Sequence, residues 1–257
     1  MYFQDSFFNI FNVYMRKLSR KLFGLISIKS QSQSTPPRGW VLISFVTHPF
    51  AITKKEIDRS PHTTPWECME IARILLERGY SVDVIDWTNM SFIPKRKYKM
   101  IIDVHRNLER FISYLPSHCI KIYYITGAHW SYHNKAEQKR LSELKNRRGI
   151  ILLPRRQVTP SRNIEYADYI TSLGNNFAKD TFSFAQKNIV QIPLLSITTF
   201  PSPEHKDFER IKKNFVWIGG GGAVHKGLDI VLECFSKFQE YNLTVCGPVE
   251  GEKDFYD

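Results

Sequence analysis

Cysteine is scarce and unclustered: Cys68, Cys119, Cys234 and Cys246 stand far apart, with no Cys-x-x-Cys and no histidine at a ligand spacing. That excludes a zinc ribbon, a dithiol redox site and a disulfide scaffold, and points to free thiols packed as small apolar groups in a reducing, cytoplasmic setting. No stretch reaches the roughly 18 uninterrupted apolar residues that a membrane-spanning helix requires. No internal repeat of solenoid period is present. With 42% hydrophobic and 24% charged residues the chain is not of disordered composition, and 257 residues suffice for two lobes.

Positive charge is in excess, 36 Lys and Arg against 25 Asp and Glu, a formal +11. The balance favours anionic partners: phosphates, acidic lipid or nucleic acid. Nucleic acid is the weakest of these, because the aromatic residues fall in expected strands and helices and no reader motif occurs. No nucleic-acid partner is therefore expected.

Residues 1–26 read as one amphipathic basic helix. Phe7, Phe11, Tyr14, Leu18, Leu22 and Leu25 recur at spacings of four and three, with Arg16, Lys17, Arg20 and Lys21 beside them. The pattern suits an acidic membrane surface, which gives a peripheral location at the inner membrane face, while a helix packed on its own domain and a poorly ordered terminus together explain it equally well. Charges in the middle of the segment rather than before an apolar run exclude an ordinary secretory signal. Residues 27–39, rich in Ser, Gln, Pro and Gly, read as a linker.

From Trp40 short apolar runs alternate with helical patterns, the mark of an α/β fold with a parallel sheet. The spacing predicts strands at 41–47, 81–86, 99–103, 120–126, 149–153, 167–172 and 189–195. Helices are predicted at 64–78, 107–114, 132–147 and 175–185. Thr64 is the expected N-cap of the first helix, with Pro65 in its first turn and Glu67 closing a capping box. Residues 40–198 thus form a Rossmann-like lobe. After a Pro-containing connector a second Rossmann-like lobe, 199–257, begins: strand 215–218, glycine loop 219–225, helix 226–238 and strand 243–246. One βαβ unit cannot cover both faces of its sheet, so this lobe is expected to be incomplete.

The chemistry concentrates in the stretch FVWIGGGGAVHKGLDIVLECFSKFQEYNLTVCGP. Gly219, Gly220, Gly221 and Gly222 present backbone N–H groups without obstruction, the following helix adds positive potential, and Lys226 supplies an ammonium for a diphosphate. A tight packing turn with a solvated lysine explains the same residues equally well. A P-loop is excluded because Lys226 precedes Gly227, and a dinucleotide fingerprint because Val224 or His225 occupies its closing position.

This stretch resembles the start of the C-terminal lobe in retaining GT-B glycosyltransferases of the family 4 group. Lys226, Gly227, Leu228 and Asp229 match its Lys-Gly-hydrophobic-Asp, and Val245 to Pro248 its second strand end. The passage MEIARILLERGYSVDVID is similar to the leading βαβ of such enzymes. The resemblance implies transfer of a sugar from a nucleoside diphosphate sugar to the hydroxyl of a glycan or lipid-linked acceptor, with retention. The donor is a substrate, no separate cofactor is implied, and the lack of an Asp-x-Asp triplet suits a metal-independent fold. Gly219 to Gly222 and Lys226 would bind the donor. His129, after the strand ending at Thr126, would be the catalytic-site histidine beside the reacting carbon. His62, in the long loop opened by His48, would contact the acceptor. The sequence departs from the family by carrying Gly220 and Gly221 where an arginine commonly follows the first glycine. The family's two glutamates seven residues apart would lie beyond Asp257. A non-enzymatic remnant that binds a membrane or a partner is the competing expectation. Arg155 and Arg156, after the strand ending at Leu153, could meet a phosphate or an anionic acceptor, although a pair of loop arginines is usually a solvated surface feature, and His133 reads as a loop or surface histidine.

Overall fold

The structure is a computed structural model that describes residues 10–30, 38–58, 60, 62–194, 202–247, 252 and 255. It divides into two compact units, Met1–Ala128 with Ser161–Thr199, and His129–Pro160 with Phe200–Asp257.

The first unit is an α/β domain built on a seven-stranded sheet of order β1-β3-β2-β4-β5-β6-β7. The strands are β1 (Leu25–Ile28), β2 (Trp40–Phe45), β3 (Ser81–Asp86), β4 (Tyr98–Asp103), β5 (Ile120–Ile125), β6 (Tyr169–Leu173) and β7 (Ile189–Ile192). All neighbours pair in parallel except β1, which runs antiparallel to β3. Central β2 is apolar at consecutive positions because both its faces are covered. Val41 and Ile43 join Val82, Val84, Cys68, Ala72 and Leu76 on one side, while Leu42 joins Ile85, Ile101, Leu108 and Phe111 on the other. The helices are α1 (Ile10–Phe23), α2 (Lys54–Asp58), α3 (Thr64–Glu77) and α4 (Asn107–Phe111), followed by α5 (Trp130–Arg148) of the second unit and then α6 (Asn163–Tyr166) and α7 (Asn176–Asp180).

Four details correct the sequence reading. The N-terminal helix stops at Phe23: Gly24 takes a left-handed backbone (φ 60°) and donates to the Arg20 carbonyl, so Leu25 starts a strand instead. The expected linker begins as that strand, since Ser27 and Ile28 pair with Asp83 and Val82 and the Ser27 hydroxyl donates to the Asp83 carboxylate at 2.6 Å. Residues 1–9, including Phe7, and 31–37 lie outside the described residues. The α3 cap is Thr63, whose hydroxyl donates to Glu67 at 2.7 Å, and Thr64 is already helical. Residues 149–153 form no strand. Gly149 (φ 72°) ends α5, after which Ile150 and Leu152 pack inward while Ile151 and Leu153 face solvent. Their alternation records one-sided burial, with no neighbouring strand to pair with.

In the second unit β8 (Asn214–Ile218) runs parallel to β9 (Asn242–Cys246), and α8 (Phe208–Ile211) precedes them. Between the strands α9 (Leu228–Phe235) packs with α5 around Leu144, Trp217, Val224, Leu228 and Phe255. Residues 129–160, expected within the 40–198 lobe, thus pack with the C-terminal segment. Asp229 gives the reason: its fully buried carboxylate receives Arg140 of α5 at 2.7 Å and pairs also with Arg147, which reaches Glu233 at 3.2 Å. The aspartate of the Lys-Gly-Leu-Asp run is therefore the anchor of α9 on α5.

Candidate functional site

The four glycines serve different ends. A side chain at Gly219 would lie 2.2 Å from the Trp217 indole, whose Nε1 donates to the Lys226 carbonyl at 3.4 Å, so this glycine lets the strand and the turn after the loop close on one ring. Gly222 has φ 81°, and a Cβ there would lie 2.5 Å from Cγ of Arg156. At Gly220 the nearest atom to an added Cβ is Lys226 Nζ, at 3.3 Å. Gly221 is exposed, has an ordinary backbone and faces open space. Packing explains Gly219 and Gly222. It does not explain Gly221, and beside Gly220 stands the lysine ammonium.

Two cationic side chains therefore lie against one loop. Lys226 is exposed and follows the loop in sequence. Arg156 arrives from the segment after α5, and its position is set by Glu137. This carboxylate is buried, accepts the N–H groups of Arg155 and Arg156 at 2.7 Å each, and accepts Gln157 Nε2 at 2.8 Å. Burial raises its pKa, but the hydrogen bonds from Gln157, Arg155 and Arg156 outweigh it and hold the group below the ordinary carboxylate value. Arg156 therefore leaves a fixed backbone and covers the glycine loop.

Two histidines complete this wall. His225, next to Lys226, meets His133 of α5 with ring centroids 5.0 Å apart. His225 Nδ1 and His133 Nε2 are buried and have no hydrogen-bond partner among the described residues. Burial lowers the His225 pKa, and repulsion from His133 adds to it, so the ring is neutral at neutral pH. The loop already holds one oxyanion of its own: the Ala223 N–H donates to the buried Glu252 carboxylate at 2.7 Å.

Of the residues singled out in sequence, Gly219 to Gly222 and Lys226 come together with Arg156. His129 is the N-cap residue of α5; its Nδ1 lies 2.8 Å from the Ser131 hydroxyl and burial lowers its pKa. The α5 histidine that meets His225 is His133, one turn on. His62 belongs to the first unit, is exposed, and its backbone bonds with Ser60. His48 opens a short 3-10 turn, where burial lowers its pKa and the Arg20 charge adds to that effect. His133 lies in the first turn of α5, four residues after its cap. Nothing local could bring Arg156 to Gly222.

No protein-family model matches the chain, and no curated protein matches it. Among solved structures it is similar to esterase B from Lactobacillus rhamnosis. The phosphonate-inhibited form is 11% identical, with 91% of this chain and 79% of that one covered and a TM-score of 0.16. A second structure of that esterase is also 11% identical, with 97% of this chain and 86% of that one covered and a TM-score of 0.15. Likeness at this level carries no argument about fold or function.

Proposed function

We propose that the glycine loop binds the diphosphate of a nucleoside diphosphate sugar and that the protein is a GT-B glycosyltransferase transferring that sugar to a glycan or lipid-linked hydroxyl. The observation that carries the reading is the convergence of Arg156 and Lys226 on Gly220 to Gly222, a loop that precedes a helix N-terminus. Two cations and open amides fit the charge a departing diphosphate develops, and such preorganised donors lower the barrier without a metal. In this reading Arg156 stands in for the arginine that family 4 GT-B glycosyltransferases commonly carry after the first glycine of the loop, and His129 faces the donor sugar.

The test is transfer of labelled sugar from separately supplied uridine, guanosine and adenosine diphosphate sugars to water or to a membrane lipid extract. Release from one donor, lost in Lys226→Ala and Arg156→Ala proteins that remain folded, supports the reading. No release from any donor, or release indifferent to both changes, contradicts it.

A peripheral membrane location has its own support. On α1 the side chains of Met15, Leu18 and Leu22 are exposed at 46, 41 and 62%, with Lys17, Arg20 and Lys21 exposed beside them. Among the described residues no helix is long and apolar enough to cross a membrane. An apolar strip flanked by cations fits an acidic bilayer surface.

A further inference from the structure

Parallel strands are joined by crossover connections that usually carry a helix. Residues 87–97, which lead from β3 past β2 to β4, form instead a helix-free arch. This segment, with Leu25, Asp83 and Tyr98, lines a cavity of about 420 Å³, within the size range of small-molecule sites. It belongs wholly to the first unit.

The arch is held by dedicated bonds. Arg110 donates to the carbonyls of Asn89 at 3.2 Å, Met90 at 2.6 Å and Phe92 at 3.2 Å. The Asn89 side chain accepts the N–H groups of Ser91 and Phe92, both at 3.1 Å, and donates to the Gly24 carbonyl at 3.3 Å. One guanidinium and one amide thus tie the arch to α4 and to the start of β1.

The lining divides by chemistry. Leu25, Phe92 and Ile93 supply an apolar wall. The fully buried Asp83 carboxylate is matched by donors: Ser27 and Tyr98 hydroxyls at 2.6 Å each and Arg96 Nε at 3.0 Å. Burial, with the Asp83 hydrogen bond second, pushes the Tyr98 phenol pKa up, so it stays a neutral donor. Arg96 is fixed a second time by stacking on Trp40, 4.0 Å from the ring centroid. Lys95, exposed in the same lining, makes no ion pair among the described residues. Two cations against one carboxylate leave the pocket with one positive charge to satisfy. A cationic ligand would find Asp83 already paired. A neutral apolar ligand would leave Lys95 unused.

We infer that this cavity binds a small amphiphilic anion, one carboxylate or phosphate head at Lys95 and the outer edge of Arg96, with an apolar chain against Leu25, Phe92 and Ile93. The site uses no residue of the glycine loop, so it stands or falls apart from the proposed transferase activity.

The experiment is calorimetric titration of the full chain with octanoate, octyl phosphate and 1-octanol. Saturable one-to-one binding of at least one anion is expected, with octanol weaker by about tenfold or more, the loss of one charge-assisted contact. Binding of octanoate alone or octyl phosphate alone identifies the head group. Lys95→Glu should weaken the anion by at least about tenfold, and Ile93→Trp, which fills the cavity, should remove it. Both positions are exposed, so folding is retained and is checked by circular dichroism; Arg96 is left unchanged because its loss would strand Asp83. No saturation with either anion, equal binding of octanol, or indifference to both substitutions overturns the inference.

Discussion

Gly221 separates packing from binding most cleanly. Its backbone is ordinary and a methyl group there would meet nothing, so Gly221→Ala should change unfolding free energy by no more than about 0.5 kcal/mol. The same methyl would stand where a diphosphate approaches the amides. Nucleoside diphosphate affinity should therefore fall by about tenfold, near 1.4 kcal/mol, while urea melts overlay. Unchanged affinity would make the loop a packing turn. Glu137 tests the other wall. Its folded pKa lies below the ordinary value, so its stabilisation is fully present above about pH 4.3 and is lost as pH falls through the lower folded value. Glu137→Gln should cost about 1–3 kcal/mol at neutral pH, and its deficit against the parent should shrink below about pH 4. A deficit constant to about pH 3 would show that the charge is irrelevant.

At the scale of elements the decisive contact is that of α9 with α5. Asp229 is wholly buried between Arg140 and Arg147, and removing one partner of such a group leaves charge without compensation. Asp229→Ala should destabilise the second unit by about 3–5 kcal/mol in urea unfolding. A loss under about 1 kcal/mol would mean that the ion pairs are only surface contacts. For α1, cosedimentation with vesicles rich in phosphatidylserine should be strong at low salt. It should fall with Lys17→Glu plus Lys21→Glu, since each cation near an acidic surface contributes about 1 kcal/mol. Equal pelleting of parent and variant would assign the helix to packing alone.

The same scale shows why some elements were legible in sequence and others were not. Strand β2 and helix α3 announce themselves because burial on two faces and Pro65 in the first turn act locally. The apolar alternation at 150–153 misleads because periodicity reports which side is buried and says nothing about a pairing partner. Ser27 and Ile28 were hidden in a polar stretch because their strand is secured by distant Asp83. At the site the glycines and Lys226 were visible as a run. Arg156, His133 and Glu137 join it only through the α5 to α9 packing, which no local pattern encodes.

For the whole molecule the decisive feature is a cationic glycine loop made by two chain segments far apart in sequence, His129–Pro160 and Phe200–Asp257. Whether this loop is a diphosphate site is decided by calorimetric titration with uridine, guanosine and adenosine diphosphates, and with inorganic phosphate, against the parent, Arg156→Ala and Lys226→Ala. A diphosphate site gives one-to-one binding of at least one diphosphate, at least about tenfold tighter than phosphate, and a loss of about tenfold in each variant. Absence of binding by all three nucleotides, or affinity that neither substitution alters, would contradict it.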